Sequence, residues 1–214
     1  MKSRSLLLAT RSADKAAEIR RILAPLGLRI DTLADRGIDP DPAEDGIEIH
    51  PTFRDNALAK ARYFARLLDT VALADDSGLR VDALGGEPGV HTKRFCGRDD
   101  LEGRDLDDAN NALLLERLRD VSDERRDARY VCCAAVAWPD GRTLAGLGTV
   151  GGRITREPAG SAGFGYDPLF FVPELGARFA EVEHGLKDAM SHRARAFRAL
   201  ATALLATPWP LEHE

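Results

Sequence analysis

The chain opens with a short apolar run followed by a longer amphipathic one. "SLLLAT" (5–10) is apolar and without helical period, which predicts a buried strand. In "SADKAAEIRRILAPL" (12–26), Ile19, Ile22, Leu23 and Leu26 recur at helical spacing. Ser12 stands where an N-cap belongs and Gly27 where the helix must stop. "LRIDTL" (28–33) predicts a second strand. Residues 35–51 are acidic and rich in Pro and Gly, hence a loop. "TFRDNALAKARYFARLL" (52–68) predicts a second helix, with Thr52 and Asp55 in capping position and Phe53, Ala57, Ala61, Phe64 and Leu68 on one face. "VALAD" (71–75) predicts a strand and "LDDANNALLLERL" (106–118) a third helix. "RYVCCAAVAWPDGRTLAGLGTV" (129–150) reads as a hairpin turning at Pro139-Asp140-Gly141. "GRITRE" (152–157) is expected as a separate strand, "PLFFV" (168–172) as a short apolar run, and 191–206 as a closing helix. Early strand–helix alternation and a central hairpin predict an α/β fold with a mixed sheet.

The 214 residues suit one domain spanning 1–214, and a 44% hydrophobic content supplies a core. No run approaches the ~20 apolar residues of a membrane span. The start, "MKSRSLLLATRSADK", lacks the apolar stretch and cleavage site of a signal peptide, so a cytoplasmic location is expected. Cys96, Cys132 and Cys133 make no disulfide framework and no zinc spacing. A net charge of −5 argues against a broad nucleic-acid surface but leaves room for a local basic pocket.

Four stretches carry candidate chemistry. "ATRSADK" (9–15) joins a strand directly to a helix, where free N–H groups and the positive end of the helix dipole favour an anion. Thr10, Arg11, Ser12 and Lys15 add donors there. An ordinary turn with a solvated lysine fits the same residues. "ADDSG" (74–78) sets two carboxylates side by side; in a strand Asp75 and Asp76 point to opposite faces, so they have different roles. Asp76 is read as projecting from the strand end into a cleft, where a hard cation such as Mg²⁺ suits one or two carboxylates plus substrate phosphates. Glu44 in the acidic loop is the candidate second carboxylate. In "GSAGFGYDP" (160–168), glycines around Phe164 and Tyr166 permit close approach of a flat ligand to the backbone, although a structural turn fits as well. In "KDAMSHRARAF" (187–197), Lys187, His192 and Arg193 gather at a helix start, against its dipole, a conflict that a bound anion or polar base edge resolves, although a surface Lys and Arg fit the same residues. "GLGTVG" (146–151) matches a dinucleotide fingerprint, but no helix opens on it, and P-loop and G-x-S-x-G motifs are absent.

In this order the motifs resemble the inosine triphosphate pyrophosphatase family, which removes non-standard purine nucleotides. "LLATRSADKAAEI" resembles the family's opening T-x-N-x-x-K motif, and "TFRDNALAKA" its second helix. "LADDSGLRVDALGGEPGVHTKRF", "ITREPAGSAGFGYDPLF" and "SHRARA" complete a match from about Leu6 to Leu205. The resemblance implies a two-lobed fold with a long mixed sheet flanked by helices and a cleft between lobes, a homodimer, and Mg²⁺. The implied reaction is hydrolysis of ITP, dITP or XTP to monophosphate and pyrophosphate. It implies that Thr10, Arg11, Ser12, Ala13, Asp14 and Lys15 hold phosphates and that Ser77 touches substrate. It makes Asp76 the catalytic carboxylate and, with Glu44, a metal ligand. Phe164, Gly165, Tyr166, Asp167, Lys187, His192 and Arg193 are implied to form the base pocket. Ser12 replaces the family's usual Asn, "HTKRF" replaces a Tyr-Ser-Ala-Arg type of stretch, and the loop after Glu44 is longer than usual.

Overall fold

The computed structural model of the chain describes residues 5–206, so the leader reading and the ends of the 1–214 domain lie partly outside the described residues. Two strand–helix units come first: β1 (Ser5–Leu8), α1 (Ala13–Leu23), β2 (Arg29–Thr32) and α2 (Phe53–Leu67). Then follow β3 (Ala72–Val81), α3 (Gly103–Arg117), and the long hairpin β4 (Asp127–Ala137) and β5 (Thr143–Ile154). The described chain closes with β6 (Phe170–Val172), β7 (Ala177–Arg178), α4 (His184–Met190) and α5 (His192–Leu205). The strands form one seven-stranded sheet in the order β2-β1-β3-β4-β5-β6-β7. Its first three strands are parallel and the rest antiparallel, the expected mixed α/β sheet flanked by helices.

Local chemistry starts and stops these elements as the pattern indicates. Ser12 accepts the Lys15 N–H and caps α1, and Thr52 accepts the Asp55 N–H to cap α2. Gly27, at φ +62°, ends the turn after α1 in the left-handed region. The hairpin turns where Gly141 N–H reaches the Trp138 carbonyl. Two expectations are corrected. β3 does not end at residue 75 but runs on to Val81, because burial on both faces pairs its polar centre with β4: Asp75 sits opposite Ala134, Asp76 opposite Cys133 and Ser77 opposite Cys132. "GRITRE" is not a separate strand; its first residues finish β5.

Gly146 and Gly148 of "GLGTVG" have a packing reason, whereas Gly151 faces open space. A Cβ on Gly148 would lie 2.1 Å from the His192 carbonyl oxygen, and one on Gly146 2.4 Å from that of Ala196. The backbone of α5 thus rests directly on β5, which carries His192 and Arg193 inward over the sheet.

Three hydrophobic clusters occupy the described residues. One, on the α1 and α5 face, includes Leu8, Ile19, Leu73, Ala134 and Phe197. Another, on the α2 face, includes Ala57, Phe64, Ala74, Cys133 and Ala135. The third lies at the far ends of β3–β5 and includes Leu79, Val81, Leu114, Tyr130 and Phe170. The long strands therefore run through two lobes. Asp75, Asp76, Ser77 and Gly78 fall between the lobes' cores, where polar groups meet each other instead of apolar side chains.

Candidate active site

Strand alternation separates the two aspartates as expected. Asp75 faces α1 and α5 and is fully buried. Its Oδ2 accepts from Arg193 Nε at 3.2 Å and lies 3.6 Å from Lys15 Nζ. Burial alone would raise its pKa, but Lys15, Arg193 and Lys60 outweigh burial and hold the carboxyl well below the usual range. Its Oδ1 has no hydrogen-bond partner. Arg193, also buried, binds Glu18 Oε2 through Nη1 at 2.8 Å and Ser77 Oγ through Nη2 at 2.9 Å.

Asp76 faces α2. Its Oδ2 accepts from Asn56 Nδ2 at 3.0 Å and its Oδ1 from the Ser77 N–H at 2.9 Å. Asn56 is itself locked, its Oδ1 accepting the His50 N–H at 2.8 Å. Burial pushes Asp76 up to about 6; Lys15 opposes this, Glu48 adds to it, and Asn56 and Lys60 lower it. The Glu48 carboxylate pairs with Lys60 at 2.5 Å. Lys60 stays protonated: burial works against its charge, but Glu48 and Asp75 raise its pKa.

At the strand-to-helix turn, Thr10 Oγ1 accepts the Ser12 N–H at 3.2 Å, while Ala13 and Asp14 form the first turn of α1. Lys15 points to the aspartates. Arg11 does not: it holds Glu44 through Nε at 3.1 Å and Nη2 at 2.5 Å, and the carbonyls of Ile38 and Asp39. Glu44 is therefore not brought to Asp76, because Arg11 and the turn it caps engage its carboxylate. Glu48, four residues on, is the carboxylate whose charge reaches Asp76. Glu48, Asn56, Lys60 and Glu18 lie outside the candidate residues that the sequence motifs single out, and the one local signal among them is Glu18, a polar residue interrupting an apolar helical face beside Ile19.

The other wall comes from the glycine loop and the two last helices. Lys187 forms a buried ion pair with Asp167, whose Oδ2 also accepts the Phe164 N–H at 3.0 Å. Lys187 Nζ lies 5.0 Å, and the Arg193 guanidinium 5.6 Å, from the centre of the Phe164 ring. Gly163 is required: at φ +73° a Cβ would meet Asp167 Oδ2 at 2.1 Å. Tyr166 is buried and donates its hydroxyl to the Thr92 carbonyl at 2.8 Å. His192 stacks on Tyr130 with 4.5 Å between ring centres and 7° between planes. Burial, then Arg193 and Lys187, keep His192 neutral, and its Nδ1 has no protein partner. The dipole conflict expected at the last helix is thus met inside the protein. Arg193 is paired with Glu18 and Asp75, and Lys187, which belongs to the preceding helix α4, with Asp167.

This arrangement joins a capped helix start, a buried acidic strand centre and an aromatic wall with two cations, in the order the motifs run. The sequence pattern of the Ham1 family matches residues 6–203. The chain belongs to the Ham1 family. The dITP/XTP pyrophosphatase of Thermus thermophilus is 45% identical over 212 residues, covering 99% of this chain and 97% of that protein. The dITP/XTP pyrophosphatase of Frankia alni is 47% identical over 199 residues, covering 93% and 96%. A HAM1 protein from Coxiella burnetii, of known structure, aligns with a TM-score of 0.81 at 33% identity and covers 95% of this chain and 100% of its own. The chain thus shares its fold with a Ham1 structure over nearly its whole length. No helix among the described residues is long and apolar enough to cross a membrane.

Proposed function

We propose that this Ham1 protein hydrolyses non-standard purine nucleoside triphosphates (dITP, ITP and XTP) to the monophosphate and pyrophosphate, keeping them out of DNA and RNA. The observation that carries the reading is Asp76. It is a buried carboxylate whose pKa burial pushes up to about 6, oriented by Asn56 and the Ser77 N–H, and it feels the charge of Lys15 at the start of α1. A residue so placed is suited to accept a proton near neutral pH.

The Asp76 and Glu48 carboxylates offer oxygen ligands that suit a hard divalent cation completed by phosphate oxygens, and Cys133, opposite Asp76, is kept a protonated thiol because burial pushes it up to about 11. Asp76 would hold Mg²⁺, with Glu48 as the second carboxylate in place of Glu44, which Arg11 engages. The chemistry a bound Mg²⁺ supplies is neutralisation of phosphate charge and a lower pKa for the attacking water. Lys15 and the N-terminus of α1 meet the phosphates, with Thr10 and Ser12 fixing the turn. Asp76 orients the water at the α-phosphorus and takes its proton, and pyrophosphate leaves.

Phe164 offers its ring to the purine. Lys187 keeps two N–H groups beyond its bond to Asp167, and Arg193 keeps two beyond its three bonds. These donors suit the 6-keto oxygen of hypoxanthine and xanthine. Adenine's 6-amino group would leave them unpaired, a large penalty in a closed site. The assembly in this reading is a homodimer, acting on small molecules in the cytoplasm.

Pyrophosphate release measured across purine and pyrimidine triphosphates, with and without Mg²⁺, tests the proposal. The expected result is Mg²⁺-dependent turnover of dITP, ITP and XTP, with dATP about a hundredfold slower or worse in kcat/KM. Preference for pyrimidine triphosphates would contradict it, and so would binding without turnover.

A further inference from the structure

Helix α3 is only weakly amphipathic in sequence, and its polar run "DDANN" has no part in the chemistry above. In the structure these side chains hold the aromatic wall. Asp107 Oδ2 accepts the Gly165 N–H at 2.7 Å, and Asn111 Nδ2, one turn on, donates to the Gly165 carbonyl at 3.0 Å. The two bonds fix the peptide planes on either side of the Gly165 Cα. Gly165 sits at φ +64°, so the swing of this residue sets where the Phe164 ring lies. Asn110, buried between them, donates to the Lys93 carbonyl and accepts the Cys96 N–H, each at 2.9 Å. That segment carries Thr92, whose carbonyl holds the Tyr166 hydroxyl. One helix thus ties the loop at Gly165 directly and at Tyr166 through its neighbour.

We propose that Asp107 and Asn111 are positioning residues that set purine selectivity by fixing the Phe164–Asp167 loop. The inference rests on the reading that this loop receives the base. It assigns α3 a role in substrate affinity and discrimination, and none in the attack at phosphorus, because neither side chain is within bonding distance of Asp76, Lys15 or their partners.

The test compares Asp107→Ala, Asp107→Asn and Asn111→Leu with wild type. The readouts are kcat and KM for dITP and dGTP, calorimetric binding of IMP, and thermal melting. Asp107→Ala and Asn111→Leu are expected to raise KM for dITP and Kd for IMP about tenfold, the effect of leaving a backbone group unpaired. Their kcat is expected to stay within about threefold, and the preference for dITP over dGTP to narrow. Asp107→Asn retains an acceptor for the Gly165 N–H and is expected within about threefold of wild type. A purely structural role would lower melting temperature and kcat together. Unchanged KM and Kd in Asp107→Ala, or a fall in kcat at constant KM, overturns the clamp while wild type still binds IMP. A wild-type protein that neither binds IMP nor turns over dITP overturns the functional reading and the clamp with it.

Discussion

Asp76→Asn is expected to lower pyrophosphate release from dITP at least about a thousandfold while leaving the protein as stable as before, or more so, at pH 7.5. The loss follows from removing the negative charge and proton acceptor on the α2 side of the strand centre. The stability follows from the sign of the pKa shift. Burial and Glu48 hold the folded-state pKa at about 6, above the ordinary 3.8. The folded state therefore binds a proton more tightly than the unfolded chain, so stability is lost as the pH rises from 3.8 to about 6 and the full penalty of the ionised carboxylate is present above that. A neutral amide removes that opposition above pH 6, a gain partly offset because its single oxygen can accept from the Ser77 N–H or from Asn56 Nδ2 but not from both. Turnover of the variant within tenfold of wild type, or collapse of its fold, counts against the assignment.

The second large effect is structural. Arg193→Met removes the cation from between Glu18 and Asp75, both buried, and is expected to destabilise the protein by about 3–5 kcal/mol. For a chain of this size that is a fall in melting temperature of roughly 6–20 °C. Asp75 adds a pH dependence. Its folded-state pKa lies below the unfolded value of 3.8, so its contribution is present above about pH 4 and lost as pH falls through the folded value. Without Arg193 the depression shrinks, and the variant should lose stability on acidification over a narrower range than wild type. Melting curves from pH 3 to 8 check both points. An Arg193→Met protein melting within about 2 °C of wild type would mean that the Glu18–Arg193–Asp75 group does not hold α5 to the sheet.

Much of the fold is legible in the chain because its signals are local. The caps at Ser12 and Thr52, the stop at Gly27, the hairpin turn at 139–141 and the apolar periods of α1 and α2 depend on neighbours a few residues away. The centre of β3 is harder, because "DDSG" has the composition of a solvated turn. Only pairing with β4 and cations from residues 15, 60 and 193 make it a buried strand. Gly146 and Gly148 of β5 are hidden for a similar reason: their demand comes from the α5 backbone, about fifty residues on.

The candidate site divides along the same line. Lys15, Asp76, Phe164, Lys187, His192 and Arg193 stand out as motifs, and the structure gathers them around the junction of the two lobes. The residues that tune them lie inside ordinary-looking helices and loops. Asn56 reads as one more polar residue of α2, and Glu18 as one more charge of α1, until partners 20 and 175 residues away are in place. Glu44 shows the converse. Its charge and loop suit a ligand, but Arg11 of the same site engages it.

The most direct test of the central claim is to let the protein hydrolyse dITP with Mg²⁺ in ¹⁸O-labelled water and follow the products by ³¹P NMR. Water placed by Asp76 at the α-phosphorus predicts dIMP carrying the label and unlabelled pyrophosphate. Labelled pyrophosphate, or dIDP with inorganic phosphate, would contradict it.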